Sequence, residues 1–269
     1  MRIHDQRTSA ESGDESSNGD VRLNAYIARC SATSRRGADR LIRYRRVLVN
    51  GRPAEIGQRV DPNRDTVLVD NQKLTLPDTH TTILLNKPAG YLVSRRDPHH
   101  TRTVYDLLPE NLHDLVPIGR LDLDTEGLLL LSNDGDLVER MTHPRYQIPK
   151  TYRAIVRGRP DESAMSRLRN GIEIDGEMTH PAEARIIGET AHGIELEFVL
   201  REGRKRQVRL MCRAIGHPVV SLRRILFAGL SLEGVKPGTW RVLTNDEVDT
   251  LKNYRGTHAR GAHARGAHA

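Results

Sequence analysis

Cysteine is almost absent. Cys30 and Cys212 are the only two in 269 residues and stand far apart, so neither a disulfide framework nor a cysteine zinc site is implied. No stretch approaches 18 consecutive apolar residues, and the first twenty lack the apolar centre of a secretory signal, so no membrane partner is expected. Aromatic residues make up 4% of the chain with a single Trp, too few for the stacking platforms of a sugar-polymer enzyme. Together these shortages predict a reducing, cytoplasmic setting.

What the chain has in excess is arginine, in two places. Residues 21–70 hold eleven arginines against five acids, a net charge of +6. Residues 201–213 hold five arginines and one lysine against Glu202, a net of +5. The overall charge is +7 although the first twenty residues are acidic. Two separate basic clusters point to a polyanion, because each neutralised phosphate releases counterions.

Periodicity divides the chain. Residues 1–20 are polar and acidic and are expected to be a disordered tail. From Val21 to residue 78 a small α/β unit is expected. "VRLNAYIARC" and "SRRGADRLIRYRR" read as helices, "VLVNGRPA" as a hairpin turned at Asn50-Gly51, "DTVLVD" as another strand, and "NQKLTLPDTHT" as a linker. Residues 79–254 form the larger part. Short apolar runs such as "ILLNKP", "GLLLLS", "YRAIVRG", "HGIELEFVL", "SLRRILFAG" and "WRVLT" read as strands, interrupted by two or three helices, one opened by a Thr244/Glu247 capping box. The expected class is α+β, with a mixed, mostly antiparallel sheet. Residues 255–269 are three near-copies of an RGxHA pentamer and are expected to be disordered.

The densest acidic stretch is "GRLDLDTEGLLLLSNDGDL", residues 119–137, with Asp122, Asp124 and Glu126 in five positions. A calcium loop would need a bidentate Glu at its twelfth position, where Asn133 stands, and a ligand at its ninth, where Leu130 stands. A glycosidase-like carboxylate pair is possible by spacing, but nothing else suggests a sugar substrate. A plain acidic turn before a buried strand accounts well for Asp124 and Glu126. For Asp122 the adjacent Arg120 argues otherwise: a carboxylate flanked by arginines is expected to stay ionised, a competent nucleophile or base.

The same stretch resembles the signature of pseudouridine synthases, in the ribosomal-RNA branch of the RsuA/RluB type. "LLNKPAGYLVSRRDPHHTRTVYDLLP", "KTYRAIV" and "EGRKRQVRLMCRAIGHPVVSLRR" resemble that family's other motifs, in family order. "RLNAYIARCSATSRRGADRLIRYRRVLVNGRPA" resembles the small RNA-binding domain shared with a ribosomal small-subunit protein and tyrosyl-tRNA synthetases. The resemblance implies that Asp122 is the catalytic aspartate, which detaches uracil from its ribose so that it reattaches through carbon. It implies that Tyr152 stacks on the target base and that Arg209 ion-pairs with the aspartate, with Val208 as its apolar neighbour. Arg120 would help hold the flipped nucleotide. Arg35, Arg36, Arg40, Arg43, Arg45 and Arg46, with Arg204, Lys205 and Arg206, would contact RNA. The family pattern is broken by Leu210, where a second basic residue is frequent, and by Ser132 in place of Thr. An isomerisation involves neither redox nor hydrolysis, so no cofactor and no metal are expected. The expected partner is ribosomal RNA or a pre-ribosomal particle, more large- than small-subunit, met by a monomer. A non-catalytic RNA-binding assembly factor on the same fold is the alternative.

Overall fold

A computed structural model describes residues 20–31, 33–76, 79–95 and 102–254. The tails expected to be disordered lie outside these residues, apart from Asp20, as do residues 96–101. The chain forms two compact units, residues 1–78 and 79–269.

The first unit contains β1 (Val21–Arg22), α1 (Leu23–Cys30), α2 (Arg35–Arg43), β2 (Val47–Val49), β3 (Arg52–Pro53), β4 (Arg59–Val60), β5 (Val67–Val69) and β6 (Gln72–Lys73). The Ser34 hydroxyl accepts from the Gly37 amide at 3.0 Å and starts α2. Leu23, Ile27, Ala38, Ile42, Val47 and Val67 build one apolar core. Asn50 and Gly51 take φ of 51° and 77°, as the hairpin between β2 and β3 requires. The segment read as a linker begins instead with a second hairpin, β5–β6. Its turn uses Asp70 and Asn71 at φ of 49° and 64°. An Asp-Asn pair tolerates the left-handed region through its short polar side chains, but without glycine it is a weak sequence signal.

The second unit is built on a nine-stranded sheet in the order β13 (Glu183–Thr190), β14 (Gly193–Leu200), β10 (Lys150–Val156), β15 (Val219–Phe227), β9 (Glu126–Ser132), β7 (Thr82–Lys87) and β17 (Trp240–Val242). β8 (Val116–Ile118) adds to β9 and β16 (Leu230–Ser231) to β15, while β11 (Glu173–Ile174) pairs with β12 (Glu177–Met178) apart from the sheet. Among these strands every pairing is antiparallel except β9 with β15. Among the described residues four α-helices accompany it: α3 (Gly135–Thr142), α4 (Glu162–Asn170), α5 (Gln207–Ala214) and α6 (Asn245–Lys252). That is one more than the sequence suggests. α3 grows from "NDGDLVERMT", where the Asp134 carboxylate accepts from the Asp136 and Leu137 amides at 3.1 Å; the leading Asn-Asp-Gly reads as a turn. β13 also escaped the sequence reading, because as an edge strand it fully buries only Ala184.

The leucine run of β9 is buried on both faces. Leu129 and Leu131 join Ile83, Leu85 and Tyr105, whereas Leu128 and Leu130 join Leu137, Met141 and Leu251. The arm formed by β10, β14 and β15 is one-sided. Ala154, Phe198 and Leu222 pack against Met165 and Leu168 of α4 and Val208 and Met211 of α5. The opposite face carries a charge ladder in which Glu197 meets Arg185 at 2.6 Å and Arg153 at 3.6 Å. Where β9 and β15 run parallel, Gly127 has a φ of +105°, and a Cβ there would lie 2.2 Å from the Arg224 carbonyl oxygen. Only glycine permits that approach.

Candidate active site

The segment between β8 and β9 carries the acidic cluster. Leu121 and Thr125 are buried and pin it at both sides, leaving Asp122 half-buried between them. The turn closes with the Thr125 amide donating to the Asp122 carbonyl at 3.1 Å. Beneath it lies Lys87, at the end of β7, with no exposed surface. Its ammonium donates to the carbonyls of Thr125 at 2.8 Å, Pro88 at 3.0 Å, Asp122 at 3.2 Å and Leu123 at 3.3 Å. Burial pushes Lys87 down to about 8, against the opposing pull of Asp124, Glu126 and Asp122. The backbone that presents Asp122 is thus fastened from the core side by one buried cation.

Above the turn opens a cleft of about 680 Å³. Arg120 and Asp122 line it from the turn, Tyr152 from β10, and Val208 from the first turn of α5. The Asp122 carboxylate makes no hydrogen bond or ion pair among the described residues, and Arg120 is exposed. Tyr152 is half-buried, paired across the sheet with Phe198 on β14 and Arg224 on β15. The cleft therefore gathers four of the five central residues that the sequence singles out.

Arg209 is the exception, and it corrects the expectation that it pairs with Asp122. Its Nε lies 3.3 Å from the Asp124 carboxylate, and a terminal nitrogen donates to the Asp124 carbonyl at 2.8 Å. Arg206 adds two hydrogen bonds to the same carboxylate at 3.2 Å. Burial alone would raise Asp124, but the Arg206 hydrogen bond and both arginine charges outweigh it and hold the group below the usual carboxylate range. Asp124 is thus more than a turn decoration: it ties the start of α5 to the acidic turn.

The basic loop before α5 is partly spent inside the protein. Arg204 contacts Glu202 at 3.3 Å and Glu177 at 3.5 Å and donates to the Met178 carbonyl, whereas Lys205 is exposed. In the first unit Arg35, Arg36, Arg40, Arg43 and Arg45 are exposed. Arg46, also exposed, is held by Asp70, with its Nε donating at 2.7 Å.

Three cations went unnoticed in sequence: Lys87, and Lys150 and Arg224, which line the cleft. Arg224 is 1% exposed. In a strand such as "SLRRILF" two adjacent arginines read as solvated, and nothing local tells which one turns inward. Among the described residues no group of three or more His, Cys, Asp and Glu side chains could hold a metal ion, and no helix is long and apolar enough to cross a membrane.

Comparison with known proteins agrees with this geometry. Residues 81–214 match the family model described as RNA pseudouridylate synthase, and residues 21–65 match the S4 domain. The chain is 38% identical over 234 residues to an uncharacterized RNA pseudouridine synthase of Aquifex aeolicus, covering 86% of this chain and 94% of the relative. It is also 38% identical to the ribosomal large subunit pseudouridine synthase B of Bacillus subtilis, covering 86% and 95%. A crystal structure of a pseudouridylate synthase superposes with a TM-score of 0.62 at 30% identity, covering 86% of this chain and 99% of that one. The chain belongs to the RNA pseudouridine synthase family, in the RsuA/RluB branch that carries an S4 domain ahead of the catalytic domain.

Proposed function

We propose that this enzyme isomerises one or a few uridines of ribosomal RNA, in the large subunit (23S) rather than the small (16S), with Asp122 as nucleophile or base on a flipped-out nucleotide. The observation that carries the reading is the Asp122 carboxylate, free of internal partners yet held on a braced turn, facing the same cleft as Arg120 and Tyr152. A carboxylate that spends its lone pairs on no protein donor keeps them for the ribose or the base. A uridine must leave its stack before it can meet Asp122, and unstacking costs a few kcal/mol. The ring of Tyr152 and the exposed guanidinium of Arg120 are the groups that offset this, by stacking and by phosphate contact. Val208 supplies an apolar wall. Arg209 acts through Asp124, fixing the turn from the α5 side.

Six of the exposed arginines of the first unit, Arg35, Arg36, Arg40, Arg43, Arg45 and Arg46, deliver the chain to RNA. The large-subunit preference is supported by the name of the Bacillus subtilis relative. The partner is ribosomal RNA or a pre-ribosomal particle, and the enzyme acts in the cytoplasm as a monomer. The chemistry as proposed, an isomerisation at one carboxylate, calls on no cofactor.

The test is tritium release from large- and small-subunit transcripts labelled at uracil carbon 5, comparing wild type with Asp122→Asn. The expected result is release from the large-subunit transcript that falls at least about a thousandfold in the variant, roughly 4 kcal/mol of barrier. Release retained in the variant refutes the role of Asp122. Salt-sensitive binding without release from either transcript favours an assembly factor.

A further inference from the structure

Lys150 and Arg224 form a pair of neighbouring cations on the floor of the cleft, with no carboxylate paired to either among the described residues. Lys150 and Tyr152 are two apart on β10 and share one face of the sheet, and Arg224 is the cross-strand partner of Tyr152. Both cations sit beside one aromatic ring: the Arg224 guanidinium carbon is 5.1 Å and the Lys150 ammonium 5.8 Å from the Phe227 centroid. The Arg224 Nε donates to the Leu128 carbonyl at 2.7 Å, while one of its terminal nitrogens is buried with no hydrogen-bond partner. Lys150 donates to the Ile148 carbonyl at 3.0 Å, which leaves two of its three donors uncommitted.

Two carboxylates line the same cleft, and neither forms an ion pair with these cations among the described residues. Glu202 is taken up by Gln207 at 2.6 Å and by Arg204. Asp122 stands free on the turn. Burial, and secondarily the Arg224 charge, pushes the Lys150 ammonium down to about 8. Uncompensated charge of one sign inside a folded protein is costly, and such violations gather where a ligand supplies the missing charge.

We propose that Lys150, with the fixed charge of Arg224 behind it, holds the carbonyl edge of the flipped uracil and stabilises the negative charge that the base carries while detached from its ribose. This rests on the reading of Asp122 given above. A backbone phosphate is the less fitting occupant. It is strongly hydrated and is met at the mouth by exposed Arg120 and Lys205, whereas Ile148, Leu222 and Phe227 make the floor apolar. A base is apolar on its faces and polar at its edge, which suits a floor of that kind next to Tyr152.

The chemistry balances. When the C1′–N1 bond breaks, its electron pair stays on uracil and spreads over N1, O2 and O4. C1′, left electron-deficient, is stabilised by the ribose ring oxygen and the Asp122 carboxylate until a ring pair forms the C5–C1′ bond; the C5 proton then passes to solvent and N1 takes one up from solvent, so that no atom is gained or lost. Preorganised donors beside the oxygens act where charge develops and need no reorganisation. They also select the base, because cytosine places an amine donor where uracil places the O4 acceptor.

The test uses Lys150→Met and Lys150→Arg in the full chain, with single-turnover tritium release at saturating transcript and transcript binding measured beside it. Wild type and Asp122→Asn serve as references. Lys150→Met is expected to lower the saturating rate about a hundredfold or more, with affinity changed less than about threefold, and Lys150→Arg to restore most of the rate. A structural role would not move the pH profile. Wild-type rate should fall as pH rises above about 8, and Lys150→Arg should make that fall shallower, leaving the part that comes from Lys87, itself near 8 beneath the Asp122 turn. Arg224 from β15, Tyr152 from β10, Arg120, Asp122 and His143, and Arg201, Glu202, Arg204, Lys205 and Arg206 are the other charged or titratable groups that line this cleft, with Lys87 beneath the Asp122 turn, and all are present in both proteins. An unchanged saturating rate in Lys150→Met overturns the proposal, and so does a loss of affinity at constant saturating rate, which would make Lys150 a phosphate contact. If Asp122→Asn kills release while Lys150→Met does not, only this proposal fails. If wild type shows no release, or Asp122→Asn retains it, the reading of Asp122 fails as well.

Discussion

Replacing Lys87 by methionine separates two consequences of burying an ammonium under the Asp122 turn. The first concerns stability. In the unfolded chain this lysine titrates near 10.5, and in the folded protein near 8. Between those values the unfolded state holds a proton that the folded state has lost, so stability rises with pH; below 8 the penalty is fully present. The shift corresponds to roughly 3 kcal/mol. Urea unfolding of wild type and Lys87→Met at steps from pH 7.5 to 10.5 should therefore show wild type gaining up to about that much relative to the variant. The second consequence concerns rate. Methionine fills the space but donates nothing to the carbonyls of Pro88, Asp122, Leu123 and Thr125. A displacement of the turn by an ångström is enough to cost about a hundredfold in turnover. Tritium release at saturating transcript should fall by about that factor while RNA affinity holds. A flat stability difference across this pH range would refute the depressed ammonium, and a rate within threefold of wild type would refute the brace.

Two further outcomes follow from local geometry. Gly127→Ala must place a Cβ 2.2 Å from the Arg224 carbonyl at a φ of +105°, so thermal unfolding should show a loss of at least about 3 kcal/mol or no folded protein. Glu247 is held at about 2, chiefly by its hydrogen bond with Arg241 and also by those from the Thr244 cap. A depressed carboxyl contributes stability above its unfolded value of 4.5 that is lost as pH falls toward 2. Acid unfolding of Glu247→Gln should therefore lack part of the wild-type slope in that window, and an unchanged slope would refute it.

Much of the fold was legible because its signals are local. Asn50-Gly51 demanded a hairpin, the Thr244/Glu247 box opened a helix, and the unbroken leucines of β9 required burial on two faces. The β5–β6 hairpin, α3 and β13 were missed where the local code is ambiguous: an Asp-Asn turn, a capping Asp inside a turn-like Asn-Asp-Gly, and an edge strand with one buried residue.

The site divides along the same line. By itself the sequence determined that an acidic turn precedes a buried strand, that an arginine stands two residues before Asp122, and that the chain seeks a polyanion, because these are properties of neighbouring residues and of total charge. It could not assign Arg209 to Asp124 rather than Asp122, since the two acids are two residues apart and the arginine reaches them from 85 residues away. Nor could it set Lys87 beneath the turn or Arg224 beside Lys150. Those contacts join residues 35 or more positions apart in the chain. Only the pairing of β7 with β9 and of β10 with β15 decides which cations lose their water, and there the buried charge of this enzyme acquires its purpose.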